Sequence, residues 1–254
     1  MKSDSKIALV TGAGRGLGKN MALSLAAKGN DVIVIYNSSE KEALDVVSEI
    51  EGLGQQAVAL QLNTADTQTF DGFFENLSRV LNEKWGRSTF DFLINNAGID
   101  RYSPFAKTSE QDFDDLMNVH FKGVYFLTQK ALPFIADQGR IVNLSTGLAR
   151  FTNPGYAAYA SMKGAVEVLT RYLAKELGAR GITANTVAPG IIHTDFTKRA
   201  FESHPGLEDH MNSITALGRV GQPDDIGGVV AFLCSDESRW VNGQRIEVSG
   251  GMNL

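Results

Sequence analysis

Tyr159 and Lys163 stand four residues apart in a segment of helical period, which puts a phenol and an ammonium on one face, one turn apart. A phenol with a pKa of about 10 is a poor base at neutral pH, but a neighbouring ammonium favours its anion, so the pair can exchange a proton with a substrate oxygen. A second arrangement, Thr11-Gly12-Ala13-Gly14-Arg15-Gly16-Leu17-Gly18, lies between a strand-like run and a helical one. Glycines there permit a tight turn and close backbone approach, and the free N–H groups at the positive end of a helix dipole can seat a phosphate. The NTPase type of loop is excluded, because Ala13 stands where its first glycine must be and Asn20 where Ser or Thr must follow Gly18-Lys19. The Gly-x-Gly-x-x-Gly spacing also fails at Leu17, leaving Gly12, Gly16 and Gly18 as the spaced set.

Other chemistries find no support. His193, His204 and His210 have no ligand spacing, so no metal is expected. Ser145 lies in Asn143-Leu144-Ser145-Thr146-Gly147 rather than in Gly-x-Ser-x-Gly, which argues against a serine hydrolase. Cys234 is the single cysteine, so no intrachain disulfide or multi-cysteine site can form. With 24 Lys plus Arg against 29 Asp plus Glu, a net charge of -5 speaks against nucleic acid as a partner. No apolar run nears the roughly 18 residues of a membrane span, and Met1-Lys2-Ser3-Asp4-Ser5-Lys6 leads into a strand rather than a signal region. A cytoplasmic protein without membrane contact is expected.

Elements that could position these groups alternate along the chain. Apolar β-branched runs at 7–10, 31–36, 57–62, 90–95, 140–144, 183–187 and 244–248 read as strands buried on both faces. Helical periods at 17–28, 40–51, 67–83, 110–135, 157–179 and 224–233 separate them. This is the α/β pattern of a Rossmann-type doubly wound parallel sheet of seven strands, helices on both faces, in one domain over 1–254. Ligands of such folds bind outside the carboxyl ends of the strands, so the irregular segment 194–217 is expected to be a substrate loop.

Thr-Gly-x-x-x-Gly-x-Gly after the first strand resembles the short-chain dehydrogenase/reductase family. Asn95-Asn96-Ala97-Gly98, Tyr159-Ala160-Ser161-Met162-Lys163, Pro189-Gly190-Ile191-Ile192-His193-Thr194 and Asn242-Gly243 with Gly250-Gly251 resemble its later motifs, in family order over nearly the whole chain. The resemblance implies a nicotinamide dinucleotide held by Gly12, Gly14, Arg15, Gly16, Leu17, Gly18, Asn37, Asn63, Thr64, Asn96, Ala97, Gly98, Tyr159, Lys163, Pro189, Gly190, Ile192 and Thr194. It implies hydride transfer between nicotinamide and a ketone or secondary alcohol, with Tyr159 as acid/base and Lys163 beside it. The end of the second strand, Ile35-Tyr36-Asn37-Ser38-Ser39, carries no carboxylate to repel a 2'-phosphate, and Arg15 can reach one. NADP(H) is therefore expected in preference to NAD(H), which stays open.

Two departures from the family pattern stand out. Its carbonyl-binding hydroxyl, usually a serine, falls on Thr146, with Ser145 as the alternative if the loop register slips by one. Its relay asparagine falls on His120, for which two readings stand side by side: a proton-relay imidazole, or a helix histidine whose partner is backbone. These departures motivate a rival class, a dinucleotide-binding regulator without catalysis. Among enzymes, a 3-oxoacyl-acyl-carrier reductase is the alternative, disfavoured because residues 131–139 hold no Lys or Arg and Asp137 would repel an acidic carrier. A free carbonyl or alcohol substrate is preferred, and a homo-oligomer, a tetramer in the family's manner, is implied.

Overall fold

Every residue of β1 (Ile7–Thr11) is buried, with Ala8 and Val10 facing one apolar cluster and Ile7 and Leu9 the other. A strand that buries both faces needs covering layers on both sides, and the rest of the chain supplies them. The computed structural model describes residues 5–254; residues 1–4, which belong to the stretch read as running without a leader into the first strand, lie outside the described residues. The other strands are β2 (Asp31–Tyr36), β3 (Ala57–Gln61), β4 (Phe90–Asn95), β5 (Ile135–Leu144), β6 (Thr183–Pro189) and β7 (Arg245–Val248). They form one sheet in the order β3-β2-β1-β4-β5-β6-β7, parallel at every pairing. From β1 the chain winds outward to β3 and returns to β4 on the other side, so the carboxyl ends of β1 and β4 flank the point where strand order reverses.

The helices are α1 (Gly16–Ala27), α2 (Glu40–Gly52), α3 (Phe70–Val80), α4 (Glu110–Met117), α5 (Gly123–Ala131), α6 (Ala157–Glu176), α7 (Asp195–Ser203), α8 (Leu207–Ser213) and α9 (Asp224–Leu233). Side chains of α1, α2 and α9 cover one face of the sheet; those of α3, α5 and α6 cover the other. Beneath α6 runs a polar chain that apolar periodicity does not reveal. Asn95 Nδ2 donates to Asn143 Oδ1 (2.8 Å) and Thr128 Oγ1 (3.0 Å), Asn143 Nδ2 donates to Thr170 Oγ1 (2.8 Å), and Thr186 Oγ1 donates to Thr170 Oγ1 (3.0 Å). The chain ties α6 and α5 to β4, β5 and β6, at positions where an unpaired polar group would be costly.

Three expectations from sequence are refined. The helical period at 110–135 is one continuous helical stretch that carries a π-helical turn, Asn118–Lys122, between α4 and α5. Pro133 then lies in a 3-10 turn and β5 begins at Ile135, well before the apolar run. Its early residues escaped notice because Ile135-Ala136-Asp137-Gln138-Gly139 lacks a strand's apolar pattern and Gln138 is left-handed (φ 65). Third, 194–217 is not an irregular loop. Thr194 and Thr197 make a reciprocal capping box that starts α7, and Gly206 (φ 85) resets the chain before α8.

The glycine turn shows where side-chain size is forbidden. A Cβ on Gly18 would collide with the carbonyl of Gly12, whereas one on Gly72, on the exposed side of α3, meets nothing within 4 Å. Gly18→Ala is expected to lower stability by about 1–3 kcal/mol, and Gly72→Ala to raise it by about 0.5–1 kcal/mol, in urea titrations. Equal behaviour of the two variants would show that α1 can shift away from the turn at no cost.

Candidate active site

Backbone builds the cofactor half of the site. Thr11 Oγ1 accepts hydrogen bonds from the N–H groups of Asn96 (2.9 Å) and Ala97 (3.0 Å), and Asn96 Nδ2 donates to the carbonyls of Thr11 (2.8 Å) and Gly12 (3.2 Å). These bonds press the glycine turn onto the end of β4. Gly12 (φ 63) and Gly16 (φ 56) take left-handed conformations that disfavour a side chain. The first turn of α1 has neither a side-chain cap nor an acidic residue, so its N–H groups are left for an anion. Gly14 packs against the start of α2, Leu17 against the core, and Gly98 against the His120 ring.

The remaining predicted contacts converge on this turn from other strand ends. Pro189 ends β6; the N–H of Gly190 donates to the Val248 carbonyl (3.1 Å), and a Cβ there would lie 2.9 Å from Ser249 Cα. Ile192 is buried, and Thr194 faces Gly16 as the cap of α7. Asn37 accepts from Gln61 Nε2 at its carbonyl (2.8 Å), Asn63 Oδ1 accepts from the N–H of Ala65 (3.1 Å), and Thr64 is buried beneath Gly123. Arg15 Nη1 lies 3.7 Å from Asp195 in an exposed ion pair, too weak to hold the guanidinium in place. Glu40, one residue beyond the carboxylate-free stretch, hydrogen-bonds the Tyr36 hydroxyl.

In the other half, α6 carries Tyr159 and Lys163 to the carboxyl end of β5. Lys163 is 4% exposed; its Nζ donates to the Leu144 carbonyl (2.7 Å), and burial draws its pKa down to about 8. The ammonium is therefore charged below that pH and loses its charge as pH rises through it. Nζ lies over the Tyr159 ring, 5.8 Å from its centroid, rather than at the phenol oxygen. Accordingly the phenol is not drawn toward its anion here: burial, then the Asp100 carboxylate, push its pKa up, and a hydrogen bond with Thr146 offsets only part of this. Tyr159 is a neutral phenol in this arrangement.

Thr146 and Ser145 part company. Thr146 bonds the Tyr159 phenol and accepts from the N–H of Leu148 (3.3 Å). Ser145 is buried and its Oγ donates to Glu167 Oε1 (2.6 Å), so its hydroxyl is already committed. Glu167 in turn accepts from Arg245 Nε (2.7 Å), and Arg245 Nη2 donates to the Thr146 carbonyl (3.0 Å). Sequence reasoning missed this anchor. Glu167 follows Lys163 as Lys163 follows Tyr159, so a carboxylate on the catalytic stripe was a usable signal; Arg245 comes from β7 and had none.

His120 sits in the π-helical turn, 1% exposed, edge-on to the Tyr159 ring at 5.0 Å between centroids. Its Nε2 is 2.8 Å from the Ile99 carbonyl, and its Nδ1 is buried without a hydrogen-bond partner. Burial, then the Lys163 charge, pull the imidazole down to about 3, with the Ile99 bond opposing. Of the two readings of His120, this geometry favours the second, a neutral ring with a backbone partner. The argument against an acidic carrier also loses its ground, because residues 131–139 lie around the start of β5, at the opposite end of the strand from Leu144, and Asp137 is paired with Arg180 (2.7 Å). Among the described residues no cluster of three or more His, Cys, Asp or Glu could hold a metal.

Comparison with known proteins covers nearly the whole chain. The family model described as enoyl-(acyl carrier protein) reductase matches residues 12–253. The 3-oxoacyl-(acyl-carrier-protein) reductase FabG of Staphylococcus aureus (strain Mu50) is 40% identical over 252 residues, 98% of this chain and 99% of that protein. The promiscuous reductase LugOII, which catalyses keto-reduction at C1 in lugdunomycin biosynthesis, superposes with a TM-score of 0.93 at 36% identity over 100% of both chains. The angucycline C-6 ketoreductase LanV with bound NADP superposes with a TM-score of 0.92 at 36% identity, over 98% of this chain and 96% of that one.

The buried state of His120 is directly measurable. Its ring nitrogens should show no titration by 15N NMR between about pH 5 and pH 9, the range in which an ordinary histidine with a pKa of about 6.5 changes charge. An inflection near the ordinary value would restore the proton-exchange reading.

Proposed function

The chain belongs to the short-chain dehydrogenase/reductase family, and from that premise we propose that it is an NADP(H)-dependent oxidoreductase that interconverts a ketone and a secondary alcohol. The observation that carries the reading is the neutral Tyr159 phenol bonded to Thr146 and packed against buried Lys163 at the carboxyl end of β5. The uncapped start of α1, with the close approach of Gly12 and Gly18 to β4, fits the pyrophosphate of a dinucleotide. NADP(H) bound there would supply a hydride to a carbonyl carbon or take one from an alcohol carbon.

The chain's own residues handle the oxygen. Thr146 Oγ1 donates a hydrogen bond that stabilises charge developing on it, and Tyr159 Oη delivers the proton. A phenol held neutral is in the form that delivers a proton to the ketone oxygen. Lys163 places its positive charge beneath the phenol ring, where it steadies the oxyanion left after transfer. Arg245 and Glu167 hold the Thr146 loop in register. A 3-oxoacyl-carrier reductase is the second reading, favoured by the similarity to FabG; a regulator without catalysis has no support from a site this complete.

The proposal extends to one dinucleotide-binding unit over residues 1–254, with 194–217 closing the substrate side, and to a homo-oligomer. An exposed apolar face of α5 and α6, with Tyr125, Phe126, Val168 and Tyr172, supports the last. A cytoplasmic setting belongs to the same reading; no helix among the described residues is long and apolar enough to cross a membrane.

Two sets of variants test it, the first with NADPH oxidation as the readout and the second with cofactor binding. Tyr159→Phe should lower turnover on the order of a hundredfold or more. Thr146→Val should cost about 1–3 kcal/mol of transition-state stabilisation while Thr146→Ser is nearly silent, and Ser145→Ala should do less than Thr146→Val. Near-normal turnover by Tyr159→Phe would mean another acid. For the cofactor, NADPH should bind more tightly than NADH, and Arg15→Ala should erode the difference by about 1–3 kcal/mol in fluorescence titrations. Equal affinities in the unmodified protein would remove the case for a 2'-phosphate site.

A further inference from the structure

Around Tyr159 the structure gathers aromatic rings from separate parts of the chain. Tyr156, from the turn before α6, stands 6.5 Å from the Tyr159 ring, and Phe196, from α7, stands 6.5 Å from it. Tyr102, from the segment after β4, packs edge-on to Tyr156 at 5.5 Å. These rings are held where they are. Ser103 N–H donates to the Gly155 carbonyl (2.9 Å), and the Tyr102 ring fills the space a side chain at Gly155 would need. Tyr102 nevertheless remains 63% exposed and Phe196 42% exposed, so ring surface is left uncovered within reach of the proton donor.

Carboxylates also stand in this region. The Asp100 carboxylate acts on both Tyr156 and Tyr159, and Arg101 is taken up by Asp112 (3.5 Å) and Asp115 (3.6 Å). Aromatic rings prefer offset or edge-on partners with centroids about 4.5–7 Å apart, a geometry that a flat ring can satisfy and a flexible acyl chain cannot.

Building on the carbonyl-reductase reading above, we propose that Tyr102, Tyr156 and Phe196 form an aromatic subsite selecting ketones fused to, or borne on, an aromatic ring. The overall change is ketone plus NADPH plus a proton to secondary alcohol plus NADP+. The carbonyl carbon gains the hydride, and its oxygen gains the Tyr159 proton, which solvent restores.

The test uses the full chain with NADPH and three neutral ketones. 2-Tetralone and 2-decalone share a bicyclic skeleton and an unconjugated carbonyl but differ in one aromatic ring; the acetoacetyl thioester of N-acetylcysteamine represents the carrier-bound class. kcat/KM should be at least about tenfold higher for 2-tetralone than for 2-decalone, the size of effect expected for one or two aromatic contacts. It should also exceed that for the thioester. Phe196→Leu and Tyr102→Leu, which keep bulk and remove the ring, should shrink the tetralone-to-decalone ratio through a rise in KM for 2-tetralone. Equal kcat/KM for the two bicyclic ketones, or a better thioester, would overturn the aromatic subsite while leaving the reductase reading intact. Turnover of none of the three would overturn both.

Discussion

A buried ammonium bonded to the carbonyl at the end of a strand is the interaction on which the site depends. Lys163 Nζ reaches the Leu144 carbonyl only because α6 lies across the sheet at one register, and taking that charge from water is costly unless such a bond compensates. The register is set beneath the helix by the polar chain from Asn95 through Asn143 to Thr170 and Thr186. If α6 slid by a residue, the ammonium would lose its acceptor and the threonine its asparagine together. Tyr159, one turn earlier on the same stripe, is thereby held at the mouth of the cleft.

The electrostatics that follow are those of a proton donor. Burial and the Asp100 carboxylate hold the phenol neutral, while burial keeps Lys163 near the edge of its charged range and His120 fully neutral. Around them, Ser145, Glu167 and Arg245 form a closed set of charge-assisted bonds that fixes the Thr146 carbonyl. The hydroxyl at the site is thus held by groups on α6 and β7 that need not touch substrate, and a shift in either element would be felt at Thr146.

The two halves of the cleft are made of different material. The cofactor half is backbone: glycines that cannot carry a side chain, an uncapped helix start, and Asn96 tying turn to strand. The proposed substrate half is made of side chains contributed by a segment after β4, a turn before α6, and α7. Backbone recognition leaves glycine and asparagine at fixed spacings, whereas side-chain recognition from distant segments leaves no spacing at all. The cofactor is for that reason legible in the chain and the substrate far less so.

The amino-acid sequence by itself determined the alternation of strands and helices, the glycine turn at the end of β1, and the Tyr159–Lys163 stripe, because each is set by neighbours within a few turns of chain. It also placed the carbonyl-binding hydroxyl on Thr146, with Ser145 as the alternative if the loop register slips by one. Only the tertiary structure shows Ser145 committed to Glu167 and the Thr146 carbonyl held by Arg245, groups that arrive from α6 and β7. It likewise decided that burial disfavours the charged form of His120, that residues 131–139 lie far from the Leu144 end of β5, and that 195–203 and 207–213 are helical. Burial, distance across a sheet and the company of remote charges are properties of the folded chain, and local spacing carries no record of them.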